Sequence, residues 1–173
     1  HTPEHDYVSG IATSVKGLRL GIPKELFPHP DLDSDVELAI QKAIKNFQDL
    51  GCSLVETSIP HSPIAPAVFA GVEEPEVVSH KWQPLVEDNA SLDSNTRVRL
   101  TSSALIPAAL TFRSRQARRI ICDEVKETLN NVDALLIPTC PTTAPPITST
   151  ASRSTREKVV GIRRTYTCLA NLS

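Results

Sequence analysis

The stretch Asp133-Ala-Leu-Leu-Ile-Pro-Thr-Cys-Pro-Thr-Thr-Ala-Pro-Pro-Ile147 joins a short apolar run to a series of prolines. Residues 134–137 have the composition of a buried β-strand, and the prolines that follow exclude both helix and continued strand pairing. The chain therefore leaves the sheet here along a stiff path. Binding surfaces of α/β proteins form where buried strands end, so this turn is either a candidate binding segment or a plain surface connection.

Strands and helices alternate in the first third of the chain. Residues 18–22 and 54–59 have the pattern of short strands, each closed by a proline. Between them, residues 36–50 carry an apolar stripe at helical spacing, and Asp33 or Ser34 can cap that helix. This strand–helix–strand unit predicts a parallel pair with a right-handed crossover.

Three prolines divide the helical pattern of residues 61–82. Pro63, Pro66 and Pro75 each interrupt it, so one continuous helix is not expected there. The remaining chain is expected to form, in order, two short helices within 61–82, a polar irregular segment at 83–104, a long helix at 107–129, a central buried strand at 133–137 that packs against the 36–50 helix, a Ser/Thr-rich loop at 148–155 and a last helix at 156–169.

The composition is that of a globular protein. Of the 173 residues, 40% are hydrophobic and 22% are charged, which is ordinary for a chain with a packed core. The net charge of -2 argues against a nucleic-acid partner or an anionic membrane surface. No apolar run approaches the roughly 20 residues that span a bilayer. The sequence therefore predicts a cytoplasmic protein with no membrane partner.

A basic cluster on the predicted 107–129 helix is the main feature that favours a nucleic acid. It consists of Arg113, Arg115, Arg118 and Arg119. No aromatic residue lies between these arginines, so the base-stacking half of a single-strand site is missing. We expect a solvated or internally paired helix face, with one arginine anchored by its planar fork to carboxylates or backbone carbonyls.

The cysteines and histidines give no metal or redox pattern. Consecutive cysteines are separated by 70, 18 and 28 positions, which matches no Cys-x-x-Cys spacing. Pro3 lies between His1 and His5 and makes a metal-binding helix improbable there. We therefore predict no metal, no cofactor and four reduced thiols, which are Cys52, Cys122, Cys140 and Cys168.

The opening stretch resembles the Asp-x-Leu-Leu-x-Pro-Thr-x-Pro-x-x-Ala-Pro-Pro element of the amidase signature family, the Ser–Ser–Lys amide hydrolases. Residues 17–27, 35–60 and 166–172 are similar to three further family stretches in the same order, whereas residues 61–104 match weakly. The resemblance implies an α/β fold, in three α/β/α layers around a mixed sheet. It also implies that residues 1–173 are the C-terminal portion of one family domain, with 1–16 as a lead-in segment.

The catalytic part of that family has no counterpart here. Its nucleophilic serine lies in a Gly-Gly-Ser-Ser-Gly-Gly-like loop, with a second serine and a lysine earlier, so the resemblance implies that all three lie upstream of His1. No two of the six glycines are adjacent, and no glycine flanks Ser102 and Ser103. We interpret these two serines as small polar residues in a connection. No catalytic residue is assigned, and the isolated chain is predicted to be inactive.

The resemblance implies an amide-bond hydrolase that forms a serine acyl-enzyme in the intact protein. Its substrate would be a small-molecule amide, and its necessary partner the missing N-terminal part of the same domain. The candidate residues of the substrate pocket are Thr139, Cys140, Pro141, Tyr166 and Asn171. Asn171 is equally compatible with a backbone-capping amide. Pro75 and Thr148 depart from the family pattern and affect the pocket loops more than the fold.

Two other interpretations stay open. The parent could be a non-catalytic or accessory subunit of an amidotransferase complex that acts on charged transfer RNA. Alternatively, the chain could be a self-standing α/β binding module that only echoes the family. The absence of methionine and the abrupt start and stop of the sequence favour a fragment that is cut at both ends.

Overall fold

The structure is a computed structural model, and it describes Val8, residues 14–144 and residues 166–173. The strands and helices that follow one another within 14–144 are β1 (Arg19–Pro23), α1 (Ser34–Asp49), β2 (Ser53–Thr57), α2 (Ala65–His80), α3 (Trp82–Glu87), α4 (Ser94–Ser103), α5 (Ala108–Leu129) and β3 (Ala134–Leu135). Short 3-10 turns at Ser62–Ile64 and Asn89–Ser91 precede α2 and α4. Residues 166–172 are helical and are called the C-terminal helical segment below.

The three strands form a parallel sheet in the order β2-β1-β3. Leu20 of β1 lies opposite Leu54 of β2 on one side and Ala134 of β3 on the other. The predicted α/β class and the parallel strand–helix–strand unit are confirmed. The antiparallel strand of a mixed sheet and the three-layer arrangement stay predictions, because the described strands are all parallel.

Strand β3 is shorter than the 133–137 strand predicted from its apolar run. Its pairing extends one residue each way, since Asp133 N donates to Arg19 O and Leu136 N donates to Gly21 O, both at 2.8 Å. The predicted central position of this strand is not seen in the described part of the sheet, and its packing against the 36–50 helix stays a prediction. There β3 lies at an edge, and α1 makes its main sheet contact with β2.

Helix α1 begins and ends at the predicted signals. The side chain of Asp33 accepts a hydrogen bond from Asp35 N at 3.0 Å, which satisfies a free N–H of the first turn. Gly51 follows the C-cap Leu50 with φ of 90°, a conformation that a residue with a side chain rarely adopts. The chain then turns directly into β2.

A single helix replaces the two short helices predicted for residues 61–82. Pro75 lies inside α2 and removes one backbone N–H, at a cost of about 3 kcal/mol. The buried face of α2 outweighs that loss, because Ala65, Val68 and Val72 are each at most 7% exposed and pack toward α5. The predicted break was therefore wrong because tertiary packing overrides the local effect of one proline.

Helical turns also replace the irregular segment predicted for 83–104. The signal for the start of α4 lies within the polar residues that were interpreted as turns. The side chain of Asp93 accepts hydrogen bonds from Asn95 N at 3.0 Å and Thr96 N at 3.2 Å, and it therefore caps the helix. Ser102 and Ser103 accordingly end a helix and do not lie in a connection.

Helix α5 spans almost the predicted 107–129 range, with Pro107 as its N-cap. It packs along α2 and, through Ile121 and Val125, enters the main core. This core joins the sheet loops, α2, α5 and the C-terminal helical segment. Its fully or nearly fully buried members are Leu26, Ile59, Ala65, Val68, Ile121, Val125, Tyr166, Cys168, Leu169 and Leu172.

The basic face of α5 is partly paired within the molecule. Arg118 Nε donates to the backbone oxygen of Leu172 at 2.8 Å, and an Arg115 guanidinium nitrogen lies 3.4 Å from Glu76 Oε1. The first contact ties α5 to the C-terminal helical segment, which is the structural role expected for one arginine of the cluster. The absence of a nucleic-acid partner stays a prediction.

Some expectations fall on residues that the structure does not describe. The 148–155 loop lies wholly outside the described residues, and so do residues 156–165 of the last predicted helix; residues 166–169 are helical, and the helix continues to 172. Within the described ranges, no helix is both long enough and apolar enough to cross a membrane.

Candidate functional site

The carboxyl ends of β1, β2 and β3 lie at one edge of the sheet, because the three strands are parallel. The segments that leave this edge begin after Pro23, Thr57 and Leu135. Ligands of open α/β sheets bind at this edge, where loops from different strands converge. The candidate site is therefore the set of loops at the carboxyl edge.

The proline turn after β3 is held in place by its own buried rings and by one long-range hydrogen bond. Pro138 and Pro141 are almost fully buried, Cys140 is half-buried and Thr139 is exposed. The backbone oxygen of Pro141 accepts a hydrogen bond from Asp33 N at 2.8 Å. The start of α1 thus fixes the far end of the turn, which leaves Thr139 and Cys140 as its accessible side chains.

Tyr166 reaches the same region from the C-terminal helical segment. Its side chain is fully buried, and its ring meets the His29 ring edge to face, with centroids 6.2 Å apart. The hydroxyl has no hydrogen-bond partner among the residues that the structure describes. Burial, assisted by the negative charge of Asp31, raises the pKa of this phenol above its usual value of 10.0, so the group stays protonated at neutral pH.

His29 lies in the loop after β1 and contacts both the Tyr166 ring and the backbone of Asp31. Its Nδ1 accepts a hydrogen bond from Asp31 N at 3.2 Å, so a neutral ring carries its proton on Nε2. The same loop continues to Asp33, which holds the proline turn. The loop from His29 to Asp33 therefore joins Tyr166 to the turn at 138–141.

Glu25 organises the neighbouring ends of β1 and β2. Its carboxylate accepts hydrogen bonds from the Ser58 hydroxyl and, at 2.9 Å, from Ile59 N. Burial acts to raise the pKa of Glu25, but these hydrogen bonds to the charged form outweigh it and hold the pKa below its usual value of 4.5. At neutral pH this carboxylate is ionised and serves as an anchor between two loops.

The structure brings together only part of the predicted substrate pocket. Pro141 and Tyr166 both contact the 29–33 loop, and Thr139 and Cys140 belong to the same turn as Pro141. Asn171 is exposed, and within the described ranges no hydrogen bond joins its side chain to that turn. None of these observations tests the pocket assignment, which stays a prediction.

Two residues at this edge, Glu25 and His29, were missed by the sequence reasoning. Both follow the carboxyl end of β1 within a strand–helix–strand unit, which is the one sequence signal that favours a site there. Their partners Ser58 and Tyr166 lie far away in the sequence. The contacts themselves could not be derived without the fold.

Of the two adjacent serines, Ser103 is engaged in a hydrogen bond within the protein, and the assignment of no catalytic residue stays a prediction. Ser103 is buried, and its hydroxyl donates to Glu74 Oε2 at 2.9 Å. The same carboxylate oxygen accepts from Arg99 Nε at 2.8 Å. Ser103 therefore stabilises the contact between α2 and α4, and among the described residues neither a histidine nor a lysine hydrogen-bonds to its hydroxyl.

The four cysteines are free, as predicted, and Cys52 and Cys168 are buried. The described ranges contain no group of three or more histidine, cysteine or acidic side chains placed to hold a metal ion. This finding concerns residues 14–144 and 166–173, and the prediction of no metal stays untested for the rest.

Comparison with known proteins extends the likeness over the entire chain. A family model described as Amidase matches residues 1–173. A glutamyl-tRNA(Gln) amidotransferase subunit of Hahella chejuensis is 34% identical to this chain in an alignment that covers 82% of this chain and 34% of that protein. An amidase of Pseudomonas putida is 30% identical over 139 residues, which cover 80% of this chain and 30% of that protein.

The same likeness extends to the fold. The crystal structure of a glutamyl-tRNA(Gln) amidotransferase subunit from Thermotoga maritima superimposes with a TM-score of 0.71 at 26% identity, covering 92% of this chain and 34% of that chain. The chain thus spans about a third of the length of the curated relatives that it matches. Because the family model matches every residue, including the weakly similar 61–104 stretch, the chain belongs to the amidase (amidase signature) family.

Proposed function

We propose that the protein carrying this chain hydrolyses the C–N bond of an amide through a serine acyl-enzyme. Membership of the amidase family over all 173 residues is the observation that carries this proposal. The serine attacks the amide carbonyl, the amine leaves with a proton, and water then hydrolyses the acyl-enzyme to the acid. We assign the nucleophile, the second serine and the lysine to the N-terminal part of the same domain, outside residues 1–173.

This chain would supply part of the pocket for the acyl group. The proposed pocket residues are Thr139, Cys140, Pro141, Tyr166 and Asn171. The buried hydroxyl of Tyr166 supports this assignment. It has no hydrogen-bond partner among the described residues, and a buried phenol is costly unless another group, such as a bound acyl group, accepts its hydrogen bond. Asn171 belongs to the proposal through the family resemblance alone.

Two variants test the pocket in the full-length enzyme. Cys140→Ser should change KM or the preference among amide substrates, with a smaller effect on kcat, because the residue would contact the bound acyl group and not the reacting atoms. Cys52→Ser is the matched control. Its thiol donates to the backbone oxygen of Val15 at 3.3 Å and lies just before the start of β2, at the end of the sheet opposite the turn, so it should leave substrate preference unchanged.

The chain alone provides the complementary experiment. Residues 1–173 should release no amine or ammonia from a panel of aliphatic and aryl amides, because Ser103 is bound to Glu74 and no activated serine is assigned. Turnover that disappears in Ser102→Ala or Ser103→Ala would contradict the assignment of the nucleophile. A Cys140→Ser enzyme that is kinetically silent on every accepted substrate would contradict the pocket.

A second candidate function is that of an amidotransferase component that works with partner subunits on charged transfer RNA. Its support is the 34% identity to the Hahella chejuensis amidotransferase subunit. Amide hydrolysis by the purified single protein favours the amidase, whereas activity that requires both partner subunits and a charged transfer RNA favours the amidotransferase. In both cases we place the reaction in the cytoplasm. The family match over the whole chain argues against a module that merely echoes the family.

A further inference from the structure

The outer side of β2 is an open sheet edge among the described strands. In the ladder with β1, Ser53 N donates to Leu18 O at 2.8 Å, and Thr57 O accepts from Lys24 N at 3.0 Å. Because backbone groups alternate along a strand, the N–H and C=O groups of Leu54 and Glu56 point away from β1. Such a row of backbone groups is a template for another strand.

A groove of about 440 Å³ lies beside this edge. Val55 and Thr57 line it from β2, while Glu124, Glu127 and Asn131 line it from the end of α5. The Thr57 hydroxyl oxygen is buried and has no hydrogen-bond partner within the described ranges. The groove and the adjoining edge therefore present backbone groups and one side-chain hydroxyl that have no hydrogen-bond partner among the described residues.

The charged side chains that line the groove are all glutamates, namely Glu56, Glu124 and Glu127. Glu124 is held by His61, whose backbone N–H donates to it at 3.0 Å and whose ring lies beside the other carboxylate oxygen. Glu56 and Glu127 have no ion-pair partner in the part of the chain that the structure describes. A second copy of the chain would bring these carboxylates against one another, whereas a basic chain would neutralise them.

We propose that the edge of β2 and this groove dock an extended, lysine- or arginine-rich segment of a partner protein, which adds to the sheet as a further strand. Its backbone hydrogen-bonds to the outward groups of Leu54 and Glu56. Its side chains alternate between the two faces of the sheet, so basic residues on successive positions reach Glu56 and Glu127. This docking surface does not depend on the amidase reaction.

The probe for this surface is a fluorescently labelled synthetic peptide in which pairs of adjacent lysines are separated by pairs of valines, so that lysines project from both faces of the added strand. Titrated into the full-length protein and followed by anisotropy, it should bind saturably and more weakly as salt is added. Glu56→Gln and Glu127→Gln should each weaken binding about two- to fivefold, the range for an exposed ion pair. Asp123→Asn is the matched control, because this exposed carboxylate lies on α5 outside the groove and should leave binding unchanged.

A proline variant separates strand addition from charge attraction. Glu56→Pro removes the backbone N–H of residue 56, which points away from β1 and makes no hydrogen bond to it. Edge strands tolerate proline at such positions. The proline variant should bind the peptide more weakly than Glu56→Gln, which removes the same charge. Circular dichroism and thermal melting establish that both variants are folded, and the two glutamine variants test the site even where the proline variant does not fold.

The outcomes decide the proposal. Weaker binding in the groove variants, together with unchanged binding in Asp123→Asn, supports a basic strand on β2. The proposal is overturned if the peptide does not bind, or if a peptide with glutamate in place of lysine binds equally well. It is also overturned if neither Glu56→Gln nor Glu127→Gln changes the affinity. A protein that dimerises on its own and becomes monomeric with Glu56→Pro identifies a second copy as the occupant and also overturns it.

Discussion

Tyr166 is a fully buried titratable residue at the carboxyl edge. Burial raises its pKa in the folded state, so its stabilising contribution is fully present below the unfolded value of about 10 and is lost as the pH rises through the folded value. We expect the unfolding free energy to fall in this alkaline window. Tyr166→Phe should remove that part of the pH dependence, whether or not the phenol contacts substrate.

The phenolate absorbance provides the direct measurement. Subtracting the alkaline titration of Tyr166→Phe from that of the unchanged protein isolates Tyr166, since Tyr7 is the other tyrosine of the sequence. The difference should titrate above pH 10. A difference that titrates at or below the usual value would contradict the burial of the hydroxyl.

At the scale of residues, the sequence predicted local interactions better than distant ones. Asp33 as a cap and Gly51 as a helix end follow from spacing within a few residues, and the structure confirms both. The contact of Glu25 with Ser58 and that of His29 with Tyr166 depend on how strands and loops meet in three dimensions. No pattern in a single sequence encodes those distances.

At the scale of elements, the crossing of α2 and α5 depends on Gly71. A Cβ atom on Gly71 would lie 2.8 Å from Ser114 Cβ and would overlap the Ser114 hydroxyl. Gly71→Ala should gain about 0.5–1 kcal/mol from helix propensity. Overpacking of the crossing costs about 1–3 kcal/mol, so the net effect should be destabilising.

Chemical denaturation of the single and double variants measures this contact. The cost of Gly71→Ala should be smaller in a Ser114→Ala background, because the overlapping hydroxyl is then absent. Ala70→Gly, one position earlier on α2, is a comparison that alters helix propensity without adding an atom at the crossing. If Gly71→Ala stabilises the protein in the presence of Ser114, then the helices are not as close as the structure places them.

The helices also show where prediction from local sequence signals succeeds and where it fails. Helix α5 and the cap of α1 were predicted because their signals are local and agree with the packing. Helix α2 was wrongly divided because Pro75 argues for a break, whereas the apolar contact with α5 holds the helix together. Residues 94–103 were missed because Asp93 can start a turn or a helix, and only burial of Leu100 and Ser103 against neighbouring helices decides.

At the scale of the whole molecule, α1 exposes more apolar surface than its pattern predicts. No residue of α1 is buried, although Val36, Ile40, Ala43, Ile44 and Phe47 form its apolar stripe. These side chains are only half-buried, and β2 leaves an open edge beside them. Surface of this kind is covered in stable proteins or else promotes association.

We therefore expect residues 1–173, prepared alone, to associate in a concentration-dependent way, to bind dyes that report apolar surface and to melt over a broad range. Light scattering coupled to gel filtration measures the association. Ile44→Gln should reduce dye binding, because it removes apolar surface from the half-buried stripe. Lys45→Gln changes the neighbouring exposed position and should not reduce it. A strictly monomeric sample with a sharp two-state melt would show that the stripe is adequately covered within the chain, and would favour a unit that folds without the remaining two thirds of a family-length protein.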